Sequence, residues 1–226
     1  MAIKRLDIAN LTKFYLILFQ ILFIMLSLDE GRKAVLLARS VIEEYVKNSA
    51  SFSSDLTGIF IEKQGTFVTL HTFPEHDLRG CIGIPLPIMT LKEAIIDAAK
   101  SVTRDPRFPP LEEDEINNVV IEVTVLTKPE LVNATKPQDF VSSIEIGRDG
   151  LIVEQGFYKG LLLPQVPVEQ GWDKEEFLSH TCMKAGLLPD AWFDENIKIF
   201  KFSGQIFTEI EPNGKIKEKT LDGSDN

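Results

Sequence analysis

Cysteine and histidine are scarce in this chain, with two and three among 226 residues. Cys81 and Cys182 are too few and too far apart for a disulfide framework, and they lack the paired spacing of a zinc site. No metal centre is expected, and a reduced, cytoplasmic protein is the default. Positive charge is also short, with 24 Lys and Arg against 34 Asp and Glu for a net charge of −10. A general binder of nucleic acid or anionic membranes needs clustered basic residues, so that class recedes. Several catalytic signatures are missing as well. The chain has no G-x-x-x-x-G-K-[ST], no G-x-G-x-x-G after a strand, no H-E-x-x-H and no G-x-S-x-G. Nucleotide-dependent and zinc-hydrolase chemistry lose their usual marks. No internal repeat suggests a solenoid.

Long apolar runs are confined to one place, Phe14 to Leu28, with Gln20 in the middle. The run falls short of the roughly 20 residues of a spanning helix, and no small-residue cleavage site follows it. Residues 1–24 have three readings: a stretch upstream of a natural start at Met25, a membrane anchor, or a packing helix. The first weighs most, because Met25 stands directly before "LSLDEGRK".

From Asp29 onward the chain is patterned. Val35, Ala38, Ile42, Tyr45 and Val46 recur at helical steps. "GIFIEKQGTFVTLHTF" reads as two strands around Lys63-Gln64-Gly65. Thr90 and Glu93 form a capping-box pattern before "LKEAIIDAAKSV". In "NNVVIEVTVLTKPE", Val119, Ile121, Val123 and Val125 share one strand face, and Val120, Glu122, Thr124 and Leu126 share the other. Asp173 and Glu176 frame a late helix that should end at Gly186. Hairpin-like strands mixed with helices indicate an α+β fold with an antiparallel or mixed sheet.

The stretch "HDLRGCIGIPLP" raises the question of function. Read as a strand, it places Leu78, Gly80, Ile82 and Ile84 on a core face and Arg79, Cys81 and Gly83 on the other. A thiol beside a guanidinium looks like a site, because Arg79 would stabilise the thiolate. Gly80 and Gly83 would let a substrate or backbone approach closely. The bland alternative is a small residue in a tight turn, since free cysteines are most often buried and inert. His71 is the one histidine that can be placed near Cys81, and no convincing catalytic dyad emerges. Cys182 reads as core. Arg79, Arg107, Arg148 and Lys159 lie near glycines, prolines or strand ends and could build an anion pocket, with Arg107 held by its stiff neighbours and Asp105 beside it as a further binding candidate, although Asp105–Arg107 and Arg148–Asp149 taken singly are ordinary surface turn residues. Gln165, between two prolines, could read a ligand's donors and acceptors or satisfy a turn.

Taken together, "LRGCIG" (78–83), "DPRFPPL" (105–111), "IEVTVLT" (121–127), "GRDGLIVE" (147–154) and "GLLLPQVPVEQGWDKEEFL" (160–178) resemble the AMMECR domain proteins. The resemblance covers about residues 27–221, leaving an apolar extension (1–24) and a polar tail (222–226). It implies two unequal lobes with LRGCIG at the cleft between them. It also implies a site at Leu78, Arg79, Gly80, Cys81, Ile82 and Gly83, and partners of the Memo-like or radical-SAM kind. The family's activity is unsettled, so the resemblance leaves the cofactor open. An enzyme component using Cys81 with Arg79, and a binding or scaffold module using the same cleft, both fit.

Overall fold

The computed structural model describes residues 25–48 and 55–219; the expectations for segments 1–24 and 222–226 lie outside the described residues. Among the described residues no helix is long and apolar enough to cross a membrane.

Helix α1 (Leu28–Val46) begins where Ser27 accepts the Glu30 N–H and the Glu30 carboxylate reaches back to the Ser27 backbone. This reciprocal cap satisfies two of the amides left free at a helix start. Its buried side is Ala34, Val35, Leu37, Ala38, Val41 and Ile42. Tyr45, expected on that stripe, is exposed beneath the Arg104 guanidinium. Helix α2 (Leu91–Val102) repeats the device with Thr90 and Glu93, and buries Leu91, Ala94, Ile95, Ala98 and Val102.

Both helices cover one face of a five-stranded antiparallel sheet, ordered β2-β1-β3-β8-β9. Its members are β1 (Gly65–Thr72), β2 (Leu78–Ile84), β3 (Val119–Leu126), β8 (Gly204–Glu209) and β9 (Ile216–Lys219). Val119, Ile121, Val123 and Val125 of β3 join Val68, Leu70 and Phe207 under the helices, as the alternation requires. Burying each such side chain contributes about 1.5–3 kcal/mol. Only the second half of the expected Gly58–Phe73 hairpin is a strand, Gly65–Thr72. Gly58–Ile61 forms a short 3-10 turn that drops Phe60 into the core while Ile61 stays exposed. Gly58, at φ 66°, takes a backbone conformation that a ladder does not accept.

A second antiparallel sheet has the order β4-β7-β5-β6. It contains β4 (Glu130–Leu131), β5 (Gly150–Gln155), β6 (Tyr158–Leu162) and β7 (Lys198–Phe202). Helix α3 (Pro137–Ser143), the short α4 (Gln165–Gln170) and α5 (Lys174–Lys184) belong to this part of the chain. Asp173 caps α5 with Glu176 in the reciprocal position, and Phe177, Leu178 and Cys182 enter a second core. Cys182 is fully buried, and burial pushes its thiol up to about 11.

The chain passes between the sheets at paired points. Thr127 donates its N–H to the Ser203 carbonyl, and the Ser203 N–H returns to the Thr127 hydroxyl. Where the sheets meet, Leu126, Ile152 and Phe202 pack with Phe67, Leu86 and Leu161. Phe67 lies on the helix-free face of the first sheet, near the start of β1. The junction therefore covers one end of that face, and Thr69 and His71 lie further along it.

Candidate functional site

Strand β2 is extended from Leu78 to Ile84, so the parity reading has its strand. The register with β1 pairs Thr69 with Cys81 and Leu70 with Gly80, then slips so that His71 meets Leu78. Arg79 is the extra residue of a bulge, which bends the strand and re-aims its side chains. That slip explains why Leu78, expected in the core, is 41% exposed.

The bulge also removes Arg79 from the thiol. Its guanidinium makes a two-pronged bond to Glu115 at 2.9 Å, reaches the Pro110 carbonyl at 3.4 Å and lies over Phe108. The charges that act on the Cys81 thiol are those of Arg107, Glu122 and Asp105. The expectation that Arg79 activates Cys81 is corrected: Arg79 fastens β2 to the 3-10 turn at Glu113–Asn118. Arg79→Ala should cost about 1–3 kcal/mol of stability, the scale of a lost part-buried charged hydrogen bond. It should leave the thiol titration unmoved, which denaturant melts and pH-dependent alkylation would check.

Asp105 and Arg107 do converge on Cys81. Asp105 is 2% exposed and accepts four hydrogen bonds. One comes from the Cys81 N–H (2.8 Å); the others come from the Arg107 N–H (3.0 Å), Nε (3.0 Å) and Nη2 (2.6 Å). Arg107 then donates to the Cys81 carbonyl at 3.1 Å. The carboxylate and guanidinium thus occupy the outer edge of β2 and bond both backbone groups of Cys81. Hydrogen bonds from the Arg107 side chain and two backbone amides hold the Asp105 carboxyl far below the usual carboxylate range.

The thiol itself is half-buried. Burial pushes its pKa up from the ordinary value; the Thr69 hydroxyl, donating at 3.3 Å, and the Arg107 charge pull the other way without prevailing. Across the sheet, Cys81 aligns with Thr69 and Thr69 with Glu122. His71 lies two residues along β1 on the same face. Burial pushes the His71 pKa down, opposed by the Glu122 charge. Thr69 and Glu122 escaped the sequence reading, since only the register sets them beside Cys81. The one available signal was an acid inside the otherwise apolar "VVIEVTVL".

The glycines make room for the protein itself. A Cβ on Gly83 would lie 2.3 Å from the Phe67 ring, and one on Gly80 would lie 3.1 Å from Val102. Their expected role in admitting a substrate is corrected accordingly. Gly83→Ala should destabilise by about 1–3 kcal/mol through overpacking against Phe67, read as a lower melting temperature. Arg148 is bonded within its own turn, to Asp149 and Glu145, and no contact brings it to Cys81. Gln165 opens α4, two residues after Leu163 of the inter-sheet junction, and its buried Oε1 has no hydrogen-bond partner. Among the described residues no group of three or more His, Cys, Asp or Glu could hold a metal.

The AMMECR1 family model matches residues 35–207. The chain belongs to the AMMECR1 family. Protein MJ0810 of Methanocaldococcus jannaschii is 54% identical over 198 residues, spanning 87% of this chain and 98% of that one. Protein PH0010 of Pyrococcus horikoshii is 53% identical over 197 residues, 84% of this chain and 95% of its own. The crystal structure of PH0010, titled an uncharacterised protein, superposes with a TM-score of 0.75 at 52% identity. That match covers 84% of this chain and 96% of that one. The α+β architecture is therefore shared with a solved member, and none of these names carries an activity.

Proposed function

We propose that this AMMECR1-family protein is a binding module, in which the helix-free sheet face around Cys81 recognises a small ligand and chemistry is supplied by a partner. The observation that carries this reading is the state of the thiol. Its pKa is raised by burial, its hydrogen-bond partner is the Thr69 hydroxyl, and its backbone is pinned by Asp105 and Arg107. A protonated thiol is a weak nucleophile and a serviceable polar contact. A module without an activated nucleophile would need a partner for any reaction, and the Memo-like or radical-SAM proteins implied by the family resemblance suit that role.

The second reading, an enzyme component with Cys81 as nucleophile, draws on the Thr69 hydrogen bond and the Arg107 charge, both of which favour the thiolate. One experiment separates the two. Iodoacetamide alkylation of the Cys81 peptide, followed by mass spectrometry across pH, should show a midpoint above the free-thiol value of about 8.5. A midpoint clearly below that value, with fast reaction, would replace the module with an activated cysteine.

A further inference from the structure

Five exposed large apolar side chains gather at one end of the second sheet: Phe157, Tyr158, Met183, Leu188 and Phe193. The turn between β5 and β6 sets the first two. Gln155 pairs with Tyr158 across a two-residue turn of Gly156 and Phe157, and Gly156 sits at φ 60°. A type II′ hairpin turn asks for glycine first and takes any residue second. A polar residue would fill that second place as readily, so the fold has no need of a phenyl ring there. Phe157 nevertheless stands fully in solvent.

Local contacts bring the other four to the same end. A Cβ on Gly186 would lie 3.7 Å from the Tyr158 ring, which places Tyr158 at the end of α5. Gly186 donates its N–H to the Met183 carbonyl at 2.9 Å, and Leu188 follows two residues later. Gln155 hydrogen-bonds the Asp194 carboxylate, which draws Phe193 to the hairpin. The buried Trp192 backs Phe193 with ring centres 3.9 Å apart.

Area and charge decide what covers such a patch. A fully exposed aromatic side chain presents about 200 Å², so the three rings with their measured exposures offer roughly 400 Å². Leu188 and Met183 raise the total to on the order of 600 Å², the top of the range for the largest apolar patch of an ordinary monomer. Two copies meeting there would remove about 1,200 Å² from water, where the range of stable, specific interfaces begins. The net charge of −10 opposes self-association in general. This end of the sheet is closer to balance. Glu154 and Lys159 pair with each other, and Asp194 is held by Asn196 and Gln155. Lys184, Lys198, Asp190 and Glu195 remain exposed, two of each sign. A two-fold axis sets the same surface against itself, so residue i meets j and j meets i. Acids of one copy then have bases of the other to meet.

We propose that this end of the second sheet is the contact between two copies of the chain, related by a two-fold axis, with Phe157 of each packed against the apolar side chains of the other. The inference is independent of the binding-module reading, because no residue of the patch belongs to the sheet that carries Cys81.

Sedimentation equilibrium of the full chain from about 5 to 200 µM tests it. The wild type should form dimers within that range. Phe157→Asp and Leu188→Asp should each weaken the dimer about tenfold or more. Both side chains stand in solvent, so each variant should keep the wild-type circular dichroism spectrum, and either one suffices if the other folds poorly. Ile61→Asp, at an exposed apolar residue of the Gly58–Ile61 turn, should leave the dimer unchanged. A monomer at every concentration would overturn the assignment and leave the patch to a different partner. A dimer indifferent to both patch variants, or one that Ile61→Asp weakens as much, would overturn it too.

Discussion

Asp105→Ala is expected to cost about 2–4 kcal/mol, more than any other single change at the candidate site. The carboxylate is 2% exposed and meets four donors, so its loss strands the Cys81 and Arg107 amides together. Each stranded part-buried donor costs about 1–2 kcal/mol, the lower part of the range for a fully buried one. The Arg107 side chain is 54% exposed and can turn to water, which keeps the total below that of a fully buried pair. Asp105→Asn should be milder, since the amide oxygen can still accept from one backbone N–H. The pH dependence has a definite sign. The folded pKa is depressed, so between the folded and unfolded values the unfolded chain binds more protons. The contribution of Asp105 is therefore complete above the ordinary aspartate value of about 3.9 and is lost as pH falls through the lower folded value. Urea melts of the wild type and Asp105→Asn at neutral and acid pH should converge as pH drops. A constant gap between them would remove Asp105 as an ionised brace. Cys81 alkylation should also quicken in Asp105→Ala, because the outer edge of β2 loses its clasp.

That brace shows how far the chain could be read without coordinates. Signals that act within one turn or one strand were legible. The caps at Thr90–Glu93 and Asp173–Glu176 form as the spacing implies, and the alternation in "VVIEVTVL" separates the helix-covered face from the polar one. Asp105 and Arg107 could be named as candidates because prolines stiffen them, though not for the task they perform. Non-local geometry was illegible. The bulge at Arg79 inserts one residue into β2, and one residue suffices to send a guanidinium away from the thiol and to expose Leu78. Thr69 and Glu122 reach Cys81 only through the pairing of β1 with both its neighbours. Strand parity tells which face a side chain takes; it does not tell which residue stands beside it. Arg148 illustrates the converse. A guanidinium between glycines suggested a ligand, yet the acids on either side, Glu145 and Asp149, already occupy it.

The second large effect lies at a buried ion pair between the first helix and the sheet. Arg39 of α1 and Glu209 of β8 are 4% and 2% exposed and are ion-paired to each other. Arg39 also donates to the Ile116 and Val119 carbonyls at 2.9 Å, while Glu209 accepts the Ile121 N–H at 2.9 Å. The pair thus joins α1, the approach to β3, and β8. Arg39→Met should destabilise by about 3–5 kcal/mol, because it leaves a buried carboxylate without its cation. Arg39→Lys should recover little, since an ammonium cannot reproduce a fork that serves one carboxylate and two carbonyls. The double variant Arg39→Met with Glu209→Leu should regain much of the loss, as the desolvation of both charges is then avoided. A double-mutant cycle by chemical denaturation measures this coupling directly. Additive losses would show that the two residues act through separate contacts. Strong coupling would make the pair one unit that ties β8 to α1 and the start of β3.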